Sequence, residues 1–278
     1  LKIRNVGPAN MSGRITSIGV VNANPKIIYV GAASGGVWKS ENGGSAWTPV
    51  FDDQPTQNIG AVAIQQSNPD VIWVGTGEGN PRNSMNLGAG IFKSTDGGTS
   101  WKFMGLKATK TIHRIIIDPN DHNTVYVGAM GDPFTENEHR GLYKTIDGGE
   151  NWTKTLYSNT SSGIADLVMD KSNSRKIFAA LYEHHRTPYS FVSGGKGSGL
   201  YVSEDAGESW NIIGLEQGFP EGELGRIGIA IAPSNHNRIY AKVEAKKNVL
   251  YRSDDGGSTW VVINKNSKFT NNRPFYFQ

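Results

Sequence analysis

Three stretches of this chain gather the residue types that hold or transform polar substrates. One runs from Gly77 through Glu78, Asn80 and Arg82 to Gly88. A second runs from Met130 to His139 with Asp132, Glu136 and Glu138, and Arg140 follows it. The third is Glu183-His-His-Arg-Thr-Pro-Tyr-Ser-Phe191, which carries His184, His185, Arg186 and Tyr189 and continues to Ser198. Carboxylates, guanidinium groups, imidazoles and an aromatic ring together suit a sugar or a peptide, although solvated loops packing on one another would use the same residues. Glycoside hydrolysis needs two carboxyl groups about 5–10 Å apart across the scissile bond, and Glu78, Glu136 and Glu183 are the acidic candidates. Nothing in their spacing demands that pairing, so no catalytic residue is assigned. His184 and His185 beside Glu183 suggest a metal, but neighbours on an extended strand point to opposite sides, and no metal site is assigned. Arg14 and Arg226, each after a glycine at the start of an apolar run, join Arg114 as candidates for a cationic channel mouth. Ordinary hydrogen bonding to loop carbonyls is the other use for those three. Gly77-x-Gly79 follows a strand without a succeeding helix, and no Ser-His-Asp order occurs, so phosphate and serine chemistry are not indicated.

These stretches are positioned by a repeat. One eight-residue phrase, Ser/Thr-x-Asp-x-Gly-x-x-Trp, occurs five times, at Ser40–Trp47, Ser94–Trp101, Thr145–Trp152, Ser203–Trp210 and Ser253–Trp260. Its acidic position holds Asp96, Asp147, Asp205 and Asp255, with Asn42 in the first copy. The tryptophans lie 54, 51, 58 and 50 positions apart, a period that points to a propeller or a solenoid. Around each phrase come short β-branched or aromatic runs separated by Asn, Pro, Gly and Asp, such as Ile59–Ile64, Val71–Thr76 and Gly90–Ser94, with no helical period between them. Four antiparallel strands per unit, radially repeated, make an all-β propeller. The expected blades span about 12–54, 57–106, 110–157, 162–215 and 224–264, with 272–278 as the first strand of a further blade. That leftover strand predicts an incomplete ring within a longer polypeptide.

Within the phrase, the Asp accepts backbone N–H groups and closes a tight turn, Gly supplies the positive φ, and the Trp packs back over the turn. Calcium is not indicated, because the alternating ligands and distal Glu of an EF-hand are missing. The three chemistry-bearing stretches all fall between second and third strands. Insertions confined to one face of a repeat protein mark that face for binding.

Composition narrows the function classes. The chain has 278 residues, a formal net charge of +3, and Lys and Arg scattered rather than clustered, so no nucleic-acid tract is expected. No apolar run is long enough to cross a membrane as a helix. The absence of cysteine excludes disulfides, zinc–thiolate sites and thiol chemistry, and no cofactor is indicated.

On its five phrases the chain resembles the Asp-box (BNR) propeller families, which include sialidases, two-propeller xyloglucanases, photosystem II assembly factors and sortilin-type receptors. Asn5-Val-Gly-Pro8, Ser12-Gly-Arg14, Ala33-Ser-Gly-Gly-Val-Trp38 and Arg273-Pro-Phe-Tyr276 are similar to stretches of large bacterial proteins described as sortilin-like or glycosyl-hydrolase-like. That likeness implies export to the periplasm, cell surface or medium. The sialidase Arg-Ile-Pro signature is missing, since Arg14-Ile15 is followed by Thr16. In the xyloglucanase family a first-blade Asp acts as general base, and Ala33 stands at the matching position here. The partner carboxylate in that family comes from a second propeller. The leading expectation is therefore a non-catalytic, exported binding or scaffold propeller that engages a protein, peptide or polysaccharide on its insertion loops. The competing expectation is a β-glucan hydrolase using carboxylates on the same loops. An assembly factor for a membrane complex is a third possibility, to which the weak charge lends little.

Overall fold

The computed structural model describes residues 14–82, 85–187 and 189–271. The strand expected at 272–278 and the motifs before Arg14 lie outside the described residues. Five antiparallel sheets follow one another along the chain. The first contains β1 (Ile15–Val20), β2 (Ile28–Ala32), β3 (Gly36–Ser40) and β4 (Thr48–Pro49). The second contains β5 (Ile59–Ile64), β6 (Ile72–Thr76), β7 (Ile91–Ser94) and β8 (Lys102–Phe103). The third contains β9 (Ile112–Ile117), β10 (Val125–Ala129), β11 (Gly141–Thr145) and β12 (Thr153–Leu156). The fourth is β13 (Ser162–Asp170), β14 (Asn173–Arg186), β16 (Gly199–Ser203) and β17 (Asn211–Ile213), with β15 (Phe191–Ser193) added to the end of β14. The fifth is β18 (Ile227–Ala232), β19 (Asn235–Val243), β20 (Val249–Ser253) and β21 (Val261–Asn264). Strand order within each sheet is the order in the chain, as a propeller blade requires. No helix among the described residues is long and apolar enough to cross a membrane.

The core lies between blades rather than inside them. Val37, Phe51, Ile59, Ile72 and Phe92 form one buried cluster across blades one and two, and three equivalent clusters fill the following junctions. First strands sit side by side in the order β1, β5, β9, β13, β18, while β18 and β1 do not pack on one another in this way, so the propeller is partial.

Two devices set the spacing of the blades. First, a glycine on the second strand of each of blades one to three receives an isoleucine from the next blade. A Cβ added at Gly31, Gly75 or Gly128 would lie 2.6, 2.3 or 2.6 Å from Cγ2 of Ile59, Ile112 or Ile164 respectively. Second, an aromatic residue on each second strand packs beneath the Asp-box turn of the next blade. The Tyr29 hydroxyl donates to the Gly97 carbonyl at 3.0 Å and Tyr126 to Ala206 at 2.8 Å, while Trp73 packs against Gly149 and Phe178 against Gly257. A lysine stands over each of these rings, from Lys93 at 4.7 Å above Trp73 to Lys144 at 5.8 Å above Tyr126, a cation–π contact.

The repeated phrase closes its turn as the sequence suggests. Ser94 Oγ donates to Asp96 Oδ1 at 2.8 Å, and the other carboxylate contacts come from Ser100 N at 2.8 Å and Ser100 Oγ at 2.5 Å. These donors hold the Asp96 carboxyl down to about 2, and the matching donors in the third and fourth copies hold Asp147 and Asp205 well below the ordinary carboxylate range. The second carboxylate oxygen takes a side-chain donor in each acidic copy, from Ser100, Asn151, Ser209 or Thr259. In the first copy that donor position is Ala46, and Asn42 Oδ1 alone accepts, from Ala46 N and Ser40 Oγ. With no second donor, an amide serves as well as a carboxylate.

The tryptophans reach farther than their own turns. Trp101 Nε1 donates to the Val50 carbonyl of blade one at 2.6 Å, and Trp152 Nε1 to the Met104 carbonyl of blade two at 2.8 Å. Only Trp260 bonds back to its own turn, at the Gly257 carbonyl, while the Trp210 indole N–H is buried without a partner. Trp47, in the first blade, is 39% exposed. The phrase is thus both a turn and a clamp between blades.

Candidate functional site

The loops between second and third strands lie on one face and lock onto one another. Asn86 Nδ2 donates to Ser34 Oγ at 2.8 Å, joining blades two and one. The backbone of Asn137 donates to the Thr160 carbonyl at 2.9 Å and Arg186 to the Pro133 carbonyl at 3.1 Å, joining blades three and four. Glu244 accepts Ser193 Oγ at 2.8 Å and the Arg226 backbone N–H at 2.8 Å, joining blades four and five.

Glu183 to Arg186, which the sequence suggests as part of an insertion loop, are the end of strand β14. β15 folds back on them, pairing His184 with Ser193 and Arg186 with Phe191. Alternation along that strand buries Tyr182 and His184 on one side, stacked at 4.9 Å, and turns Glu183 and His185 to the other. His184 and His185 therefore do not face a common ion.

Several candidate residues are committed to internal partners. Glu78 is fully buried and held by a two-pronged contact from the Arg14 guanidinium. Asn80 is buried and Arg82 half-buried in the same loop. Glu183 accepts Asn159 Nδ2 at 3.0 Å and Gly197 N at 2.7 Å. Asp132 Oδ1 accepts the Phe134 N–H at 2.9 Å. Arg140, 1% exposed, donates to the carbonyls of Met130, Ser161, Asp132 and Thr135. Of the three arginines expected at a cationic mouth, Arg14 is paired with Glu78 and Arg114 with Asp166 at 2.8 Å, while Arg226 is wholly buried. Ala33, the position at which the family resemblance calls for a carboxylate, is buried and donates its N–H to the Arg14 carbonyl at 2.8 Å.

Other side chains stay open to solvent. Glu136, Glu138 and His139 are exposed, His185 and Arg186 half-buried, and Tyr189 is 92% exposed. Phe134 is a further exposed aromatic on this face, 38% exposed, and the Arg186–Pro133 backbone bond brings its loop beside that of Tyr189. The Arg186 guanidinium covers the Phe191 ring at 5.2 Å. Two aromatic rings, two carboxylates and a guanidinium on interlocked loops form a shallow amphipathic surface. Such a surface stacks on the apolar faces of sugar rings and hydrogen-bonds their hydroxyls.

Three residues not singled out in the sequence form the centre beneath this face. Asp166 accepts from Arg114 Nε in blade three, from its own strand at Leu167 N and from Ile229 N of blade five, tying three blades at 2.8–3.0 Å. His113 is the extra residue of a bulge in the pairing of β9 with β10, and its Nε2 accepts from Arg226 Nη2 at 2.8 Å. Burial holds the His113 imidazole neutral, well below its ordinary range, and the Arg114 and Arg226 charges add to that shift. Glu244 is the third. Their signal in the sequence was a charge or imidazole inside an otherwise apolar run, as in Ile112-His-Arg-Ile115 and Ile164-Ala-Asp-Leu167. Among the described residues no cluster of three or more His, Cys, Asp and Glu could hold a metal ion.

The likeness to known proteins is consistent with this architecture. A sequence model for "Sortilin, neurotensin receptor 3" (Sortilin-Vps10) matches residues 89–218. A xyloglucanase of Paenibacillus sp is 24% identical over 274 residues, which is 94% of this chain and 22% of that protein. Xyloglucanase Xgh74A of Acetivibrio thermocellus is 25% identical over 231 residues, 73% of this chain and 25% of that protein. The chain thus spans about a quarter of the length of these relatives. The crystal structure of a Niastella koreensis GH74 enzyme superposes with a TM-score of 0.65 at 22% identity, over 89% of this chain and 38% of that one. An ancestral GH74 enzyme superposes with a TM-score of 0.67 at 21% identity, over 90% and 31% respectively. The chain is an all-β propeller with Asp-box turns, and it is similar to sortilin-like and xyloglucanase propellers.

Proposed function

We propose that the protein is a polysaccharide-directed hydrolase of the xyloglucanase kind, and that this propeller segment holds a β-glucan-type chain on its loop face. The observation that carries the reading is the likeness to a Paenibacillus xyloglucanase along 94% of the chain. The exposed Phe134 and Tyr189 beside Glu136 and Glu138 support it, because a glucan offers both ring faces to stack upon and hydroxyls to bond. A polymeric substrate of this class lies outside the cell, which makes the protein an exported one.

A second reading, glycan capture without cleavage, is favoured by one specific observation. Ala33 stands where the family resemblance calls for a carboxylate, and Glu78 and Glu183, two of the three acidic candidates in the sequence, are engaged by Arg14 and by Asn159 with Gly197. In the hydrolase reading the carboxyl pair comes from exposed loop residues or from parts of the longer protein outside this segment.

Incubation of the full-length protein with xyloglucan, followed by both a reducing-end assay and a pull-down on insoluble glucan, separates the two. New reducing ends establish the hydrolase. Retention without new ends establishes capture. Neither retention nor new ends removes the polysaccharide reading altogether.

A further inference from the structure

The segment from Met130 to Arg140, between β10 and β11, is wrapped around the side chain that ends it. Arg140 is 1% exposed. Its Nη1 donates to the Met130 carbonyl at 3.0 Å, and its Nη2 to the carbonyls of Asp132 at 2.6 Å and Thr135 at 3.2 Å. One guanidinium thus collects three carbonyls of the loop, and a fourth, Ser161 of blade four at 3.0 Å, ties it to the next blade. The loop passes close over the arginine stem at Gly131, where φ is 78° and a Cβ would lie 2.2 Å from Arg140 Cγ. Asn137 Nδ2 donates to the same Asp132 and Thr135 carbonyls at 3.2 and 3.0 Å, and its backbone N–H to Thr160 at 2.9 Å. With these carbonyls engaged from within, Phe134, Glu136, Glu138 and His139 are exposed. Thr160 Oγ1 steadies the Glu136 carboxylate at 3.2 Å.

Buried carbonyls need donors. A planar guanidinium offers them in a fixed fork over several nitrogens, whereas an ammonium offers its donors from a single point. We propose that Arg140 is the positioning residue of this loop: its buried fork fixes Phe134, Glu136 and Glu138 on the loop face before any ligand arrives. What the loop holds rests on the polysaccharide reading above; how it is held rests on the guanidinium alone. A loop already ordered spares a ligand the entropy of fixing it, which raises affinity without adding a contact. Arg140 lies beneath the loop and acts on a glycan only through the residues it places.

The test compares the full-length protein with its Arg140→Lys, Phe134→Ala and double variants. Hydrogen–deuterium exchange is read without ligand, and retention by affinity electrophoresis in xyloglucan. In the unaltered protein the Phe134 and Asn137 amides, bonded at 2.9 Å each, should exchange slowly. Arg140→Lys should speed exchange across 132–139 roughly tenfold, with β10 and β11 unchanged, and weaken retention roughly tenfold. In that background Phe134→Ala should cost less than about twofold more, because the ring has already lost its place. A role in folding alone would lower Tm and leave the two losses multiplicative. Should Arg140→Lys fail to fold, Asn137→Ala removes donors from the same Asp132 and Thr135 carbonyls and should shift exchange and retention the same way. Three results overturn the proposal: loop amides of the unaltered protein exchanging like unstructured chain, exchange unmoved by the variants, or losses that multiply. A protein never retained by xyloglucan sinks the polysaccharide reading, and the exchange rates then decide on Arg140 by themselves.

Discussion

Replacing Gly75 by alanine tests how the blades are held apart. In the native structure Ile112 of blade three lies over Gly75 of blade two, and a Cβ there would sit 2.3 Å from Ile112 Cγ2 and 2.9 Å from its Cβ. Ile112 is fully buried and β-branched, which restricts its χ1 and leaves Cγ2 little freedom to swing away. The blades must therefore separate or the strands must bend. Overpacking a closed core costs about 1–3 kcal/mol, and contact with the branch point of a rigid side chain puts Gly75→Ala at roughly 2–3 kcal/mol. At about 2–4 °C per kcal/mol for a chain of this size, Tm should fall by roughly 5–10 °C. Ile112→Ala alone opens a cavity and costs about 2–5 kcal/mol. Combining the two removes the clash, so the double variant should be less destabilised than the sum by roughly 1–2 kcal/mol. Urea unfolding of the four proteins measures the cycle. Additivity within about 0.5 kcal/mol, or an unchanged Tm for Gly75→Ala, would refute slot packing between blades.

Three further outcomes follow from the same geometry. Ala206 takes the place held by glycine in the other Asp-box copies at a φ of 64°, so Ala206→Gly should gain roughly 0.5–1 kcal/mol in denaturant unfolding. His113 is held neutral by burial with its folded pKa lowered, so its contribution is complete above about pH 6.5 and is lost as pH falls, because only the unfolded chain takes up the proton. Stability measured in urea should drop by about 2 kcal/mol from this residue between pH 6.5 and pH 5, a drop missing in His113→Gln. On the loop face, Phe134→Ala and Tyr189→Ala should each weaken retention on xyloglucan roughly tenfold in affinity electrophoresis, as loss of one stacked ring costs about 1.4 kcal/mol, with Tm unaltered.

The propeller was legible because its determinants are local. Each Ser/Thr-x-Asp-x-Gly-x-x-Trp closes a turn with its own side chains, and the period alone counts the blades. The clamp was not legible, since Trp101 and Trp152 find their carbonyls 51 and 48 residues back, in another blade. For the same reason the candidate site was only half visible. Insertion lengths drew attention to the loop face, and Glu136 and Tyr189 are open to solvent there. Composition could not tell that Glu78 meets Arg14 across 64 residues, or that Asp166 joins three blades. Strand β14 was hidden by its polar letters, because Glu183-His-His-Arg186 reads as loop until β15 pairs with it.

If the loop face takes a β-glucan chain while the Asp-box face serves only to join blades, ligand acts on one face alone. Hydrogen–deuterium exchange on the full-length protein, with and without a xyloglucan oligosaccharide, tests it directly. Added protection is expected in the segments around Phe134 to Arg140 and Glu183 to Ser193, with none in the five Asp-box turns. Protection confined to those turns, or absent from the propeller, would contradict it.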